Sequence, residues 1–182
     1  MTEAERIILS QPQFDLVIER LCYQLIENFD QFEDACIVSV QPRGTLLADR
    51  LVKRLKTLGV PTFPYGKMDI TFYRDDFRRG KTLAASYNEM NFLVENKRVI
   101  LIDDVLYTGR SIQAALTAVN HYGRPASVDL VALVDRRFNR HLPIQGNFIG
   151  IAIDSLDEEY VKVHWSEENQ SEDKVILYSK KV

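Results

Sequence analysis

Between Phe14 and Phe29 the apolar residues Phe14, Val17, Ile18, Leu21, Cys22, Leu25, Ile26 and Phe29 recur every three or four positions. That spacing predicts an amphipathic helix with one buried stripe. The run ACIVSV at 35–40 is apolar at nearly every position, which predicts a strand buried on both faces. The loop QPRGT follows, then a second amphipathic helix over 45–58. Pro61 and Pro64 limit regular pairing in the next stretch. Residues 99–102, 127–135 and 147–154 repeat the buried-strand signature, and a helix from about 109 to 122 stops at Gly123 and Pro125. The tail YVKVHW…KVILYS predicts a closing antiparallel hairpin around the acidic turn SEENQSED.

Apolar strands alternating with helices predict an α/β domain: a central, mostly parallel sheet covered on both faces, with its site at the carboxyl ends of the strands. One segment breaks the rhythm. Residues 74–97 are charged and weakly periodic, and a connection of that length is usually functional or mobile.

The 182 residues fit a single domain, 1–182, large enough to bury a core without metal or disulfide support. Hydrophobic residues at 46% and charged ones at 27% describe an ordinary globular chain. A net charge of −3 excludes a surface that is basic all over, though not a local basic patch. Cys22 and Cys36 lie in apolar stretches and read as reduced, buried thiols. There is no apolar run of membrane-spanning length, and the start MTEAER is no signal peptide, so the chain reads as cytoplasmic.

The chemistry concentrates in VILIDDVLYTGRS, residues 99–111. A buried strand delivers Asp103 and Asp104 to the sheet edge, and Thr108, Gly109, Arg110 and Ser111 open the following helix. Unpaired backbone N–H groups and the helix dipole make such an opening an anion site. Paired carboxylates accept hydrogen bonds from vicinal hydroxyls, so one ligand with a phosphate and a diol, such as a ribose 5-phosphate, satisfies both halves. Three rival readings compete with it. Acids at a strand end can simply cap a helix. A P-loop is rejected, because Asp104 stands where it needs Gly and Arg110 where it needs Lys. A receiver domain needs more chain after its acid pair than remains here.

Further strings narrow the choice: VQPRGTLLADRL (40–51), MDITFYRDD (68–76), HYGRPASVDLVALVDRR (121–137) and HLPI (141–144). With them the chain resembles the type I phosphoribosyltransferases, and within these the pyrimidine-operon attenuation regulators that are also uracil phosphoribosyltransferases (PyrR). The similarity runs from about residue 35 to 156.

The resemblance implies phosphoribosyl transfer from phosphoribosyl pyrophosphate (PRPP) to uracil or another nucleobase, giving UMP and pyrophosphate. The type I phosphoribosyltransferase fold it implies has a flexible hood loop at 74–97 carrying Arg74, Arg78, Arg79 and Lys81. Asp103 and Asp104 would hold the ribose hydroxyls. Val105, Leu106, Tyr107, Thr108, Gly109, Arg110 and Ser111 would wrap the 5-phosphate. Pro42, Arg43 and Gly44 would take the pyrophosphate, with Arg43 counted beside Asp103 and Asp104 as catalytic and a cis peptide expected just before it. Mg²⁺ would arrive mainly on PRPP, with no dedicated protein ligands. The base would sit near Arg136 and the strand end at Ile153. Purine-specific relatives carry an acid three residues after the pair; here that residue is Tyr107, which points to a pyrimidine.

Relatives are dimers or larger assemblies, and some bind RNA as UMP- or UTP-sensing regulators. Against RNA binding, Glu19, Tyr23 and Ile151 stand where a neutral residue, His and Lys are common. Two further departures are Pro42 in place of Thr, and DRRFNRHLPI, which is one residue longer than the family pattern and lacks its Gly-His.

Overall fold

The computed structural model describes residues 3–74, 88–156, 158–168 and 171–180. Strand β1 (Glu3–Leu9) leads into α1 (Gln11–Phe29), whose first turn is closed by the Ser10 backbone N–H donating to Gln13 Oε1 at 2.9 Å. The predicted stripe is the buried one: Phe14, Ile18, Leu21, Cys22, Leu25 and Phe29 face inward. β2 (Ala35–Val40) follows within the predicted bounds. α2 (Arg43–Thr57) begins earlier than expected, so Arg43 and Gly44 belong to its first turn rather than to a loop.

β3 (Tyr65–Met68) is short and opens directly after Pro64. β4 (Arg98–Leu106), α3 (Arg110–Val119), β5 (Ser127–Arg137) and β6 (Phe148–Asp154) complete the main body. Five parallel strands run in the order β3-β2-β4-β5-β6. Side chains of β4 alternate between faces. Ile100 and Ile102 pack with α1 and α2, while Val99 and Leu101 pack with Ile112, Ala115 and Ala118 of α3.

β7 (Glu159–His164) and β8 (Lys174–Lys180) form the predicted hairpin. Unforeseen is β1, which pairs antiparallel with β8 to make a separate three-stranded sheet. This small sheet is fastened to the body by Phe14 edge-on to Trp165 at 5.4 Å and by Arg50. The Arg50 guanidinium lies 4.6 Å from the Trp165 ring and pairs with Asp173 at 2.7 Å.

Cys22 and Cys36 are buried free thiols, as expected, and burial pushes the Cys22 thiol up to about 12 and that of Cys36 to about 11. The expected loop lies partly outside the described residues, as do Arg78, Arg79 and Lys81. Its last part is anchored. Glu89 and Lys67 exchange backbone hydrogen bonds at 2.9 and 3.2 Å, and the Val94 N–H donates to Tyr122 O at 2.9 Å.

Candidate active site

β4 does not end at Ile102. It continues through Asp103 and Asp104 to Leu106, so the two acids are strand residues, each only 8% exposed. Such a position is tolerable because each carboxylate accepts the next backbone N–H: Asp104 N–H to Asp103 Oδ1 at 2.9 Å, and Val105 N–H to Asp104 Oδ1 at 2.8 Å. Burial, followed by the charge of Asp104, holds the Asp103 carboxyl well above the usual carboxylate range. Burial raises Asp104 too, opposed by its hydrogen bond from Arg43.

The acid pair lies where two clefts meet. The first, about 510 Å³, is lined by Arg74, Asp103, Val105, Leu106, Tyr107, Thr108, Gly109, Arg110, Ser111 and His141. Gly109 caps α3 with φ +89°, a left-handed conformation that leaves the helix opening facing the cleft. Arg74 Nη1 approaches Ser111 Oγ at 3.5 Å from the opposite wall.

The second cleft, about 440 Å³, is lined by Gln41, Pro42, Arg43, Ile70, Thr71 and Asp104, and it shares Arg74, Asp103, Val105 and Ser111 with the first. Gly44 brings α2 against β4 here: a Cβ at this position would lie 2.6 Å from Ile102 O and 3.0 Å from Asp103 Cα. The cis peptide is Gln41–Pro42, one bond earlier than expected.

Arg43 differs most from expectation. Its Nε donates to Asp104 Oδ2 at 2.8 Å, Nη1 to both Glu168 oxygens at 2.8 and 3.1 Å, and Nη2 to Val163 O. The guanidinium is thus a strap between the acid pair and the small sheet, and most of its donors are used there.

Arg136 is buried, with Nε on Ser155 Oγ at 3.0 Å and Nη2 on Glu159 O at 2.7 Å, and its guanidinium lies 4.0 Å from the Tyr107 ring. Ile153 points into the core, leaving only its backbone at the strand end, opposite Arg136. Sequence reasoning missed His141, Glu168 and Val163. HLPI was noticed as a string, but only the fold shows it lying across the loop before α3, where the N–H groups of His141 and Leu142 donate to Thr108 O at 3.0 and 3.3 Å.

Among the described residues no group of three or more His, Cys, Asp and Glu side chains gathers as a metal cage. The two carboxylates at the junction are hard oxygen donors of the kind that bind Mg²⁺ alongside phosphate oxygens of a substrate.

A phosphoribosyl transferase domain model matches residues 6–171. The Bifunctional protein PyrR of Picosynechococcus is 41% identical over 164 residues, covering 90% of this chain and 92% of the relative. That of Listeria monocytogenes is 35% identical over 175 residues, covering 94% and 95%. Among solved structures, the hypoxanthine phosphoribosyltransferase of Trypanosoma cruzi superimposes with a TM-score of 0.72 over 98% of both chains at 14% identity, a likeness of fold. A match of that extent, with relatives aligned along nearly their whole length, makes this chain a member of the phosphoribosyl transferase family, a pentosyl-transferring enzyme of the PyrR branch.

Proposed function

We propose that the chain transfers the 5-phosphoribosyl group of PRPP to uracil, forming UMP and pyrophosphate. The observation that carries this reading is the acid pair at the junction of two clefts, each bordered by a helix opening. A ribose centred on Asp103 and Asp104 puts its 5-phosphate toward Thr108–Ser111 and its pyrophosphate toward Pro42–Gly44. The new C1–N1 bond forms as the C1–O bond breaks: the C1–O bonding electrons leave with pyrophosphate, and the N1–H proton of uracil passes to that pyrophosphate or to solvent.

The protein's contribution is positioning and charge placement. The carboxylates orient the hydroxyls and face the positive charge that develops on the ribose. The first-turn N–H groups of α2 and α3 hold the two anionic ends. Arg43 supports Asp104 rather than gripping the pyrophosphate with its whole fork, and Arg74 serves both clefts. Mg²⁺ carried on PRPP would lie by Asp103 and Asp104, where it supplies charge neutralisation of the leaving pyrophosphate.

We place the base over the open side of Tyr107, with Arg136 stacked behind the ring and the ends of β5 and β6 offering backbone groups to its edge. Tyr107 carries no acid for a purine ring, which favours a pyrimidine. Radiolabelled uracil with PRPP and Mg²⁺ is expected to yield UMP, while hypoxanthine and guanine neither react nor compete. Consumption of a purine with uracil inert would refute the assignment.

The relatives' name, Bifunctional protein, favours a second reading in which the same site senses UMP or UTP and the chain binds RNA. On α1 the charge of Glu19 is met by Arg54, and Arg20 is engaged with the carbonyls of Ile149 and Gly150. That leaves a weakly basic face; salt-sensitive binding of a pyrimidine-leader transcript is the signature of this role. We read the assembly as a homodimer or larger, with Leu16 (70% exposed) and Tyr23 (49%) spaced along one face of α1 as contacts, and the location as cytoplasmic.

A further inference from the structure

We infer that His141 is a substrate-binding residue at the 5-phosphate end of the cleft that Arg74 also lines. The segment that carries it is fixed by its backbone: His141 N–H and Leu142 N–H both donate to Thr108 O, and Arg140 reaches Tyr107 O. Leu142 and Ile144 pack within 3.4 Å of where a Gly109 Cβ would lie, which seats the segment on the turn that opens α3.

His141 itself is exposed and lines the cleft, and its backbone rather than its imidazole carries the described hydrogen bonds to the loop. The side chain is therefore available to a ligand. An imidazole offers at least one N–H donor in either protonation state. A phosphate at the α3 opening would have backbone N–H groups, Arg74 beside Ser111, and His141 among its cleft neighbours.

This inference rests on the PRPP reading of the cleft, and the test separates the two. Ribose 5-phosphate and pyrophosphate each retain one end of PRPP, so each should inhibit the wild-type enzyme competitively against PRPP. In His141→Ala the inhibition constant for ribose 5-phosphate is expected to rise about tenfold, the size of one hydrogen bond to a charged group, with that for pyrophosphate unchanged. The melting temperature should match wild type, because the anchoring bonds are made by the backbone. Unchanged inhibition by both fragments would overturn the role of His141 alone, and an equal rise for both would assign it to general loop structure. Failure of either fragment to compete in the wild type would overturn the cleft reading and this inference with it.

Discussion

Asp103→Asn is expected to raise thermal stability at neutral pH while removing most of the transfer activity. Asp103 is buried beside Asp104, and both effects push its folded-state pKa upward. An acid whose pKa is raised by folding costs nothing below its unfolded value, about 3.9. Its cost grows as pH rises from there to the folded value, because the unfolded chain gives up a proton that the native state still holds, and it levels off once both states are ionised. Asparagine keeps an Oδ1 able to accept the Asp104 N–H and carries no charge. The variant should therefore melt with wild type near pH 4 and above it at pH 7.5, by about 3 °C for each kcal/mol relieved. Its kcat/KM should fall about 100-fold, the loss of a charged acceptor for a ribose hydroxyl. Melting curves across this pH range, beside steady-state rates, check both signs. A variant less stable than wild type at pH 7.5 would mean that Asp103 is a structural acid rather than one strained for a ligand.

Gly44→Ala is expected to damage both stability and activity, against the ordinary preference of helices for alanine. Propensity alone would favour alanine inside a helix by about 1 kcal/mol. Here the added Cβ would meet Ile102 O at 2.6 Å and Asp103 Cα at 3.0 Å, both backbone atoms that cannot rotate away. α2 must move off β4, at a cost of about 1–3 kcal/mol, which lowers the melting temperature by about 5 °C. The same movement shifts the second cleft relative to Asp103 and Asp104. A displacement near 1 Å costs about 100-fold in a reaction that depends on positioning. Melting and kcat/KM together test this; a variant melting above wild type would show that the close approach of α2 to β4 is not required.

The elements that sequence patterning revealed are those whose burial is local and periodic. α1, β2 and the β7–β8 hairpin lie where their apolar spacing puts them. β4 ran longer than its pattern because adjacent aspartates ordinarily end a strand; here each is satisfied by the following N–H, and the pair lies where the two clefts meet. β1 escaped notice because EAERIIL gains its partner only from β8, at the far end of the chain. The resemblance drew attention to 99–111 and 42–44; of these, Asp103–Ser111, Pro42 and Arg43 line the two joined clefts.

Side-chain direction was not legible. Arg43 is turned to Asp104, Glu168 and Val163, and Arg136 is turned behind Tyr107. Both orientations depend on the small three-stranded sheet and the chain leading into it, contacts between positions more than twenty or a hundred residues apart. His141 was hidden for the same reason, since its place follows from a backbone bond to Thr108, more than thirty residues earlier in the chain.

The central claim is that one ligand lies across the acid pair with its phosphate on the α3 opening. A crystal structure with UMP tests it most directly. The expected density shows the phosphate within hydrogen-bond reach of the backbone N–H groups of Thr108–Ser111, and the two ribose hydroxyls on Asp103 and Asp104. Phosphate density at the α2 opening around Pro42–Gly44, with the acid pair untouched by the ribose, would contradict it.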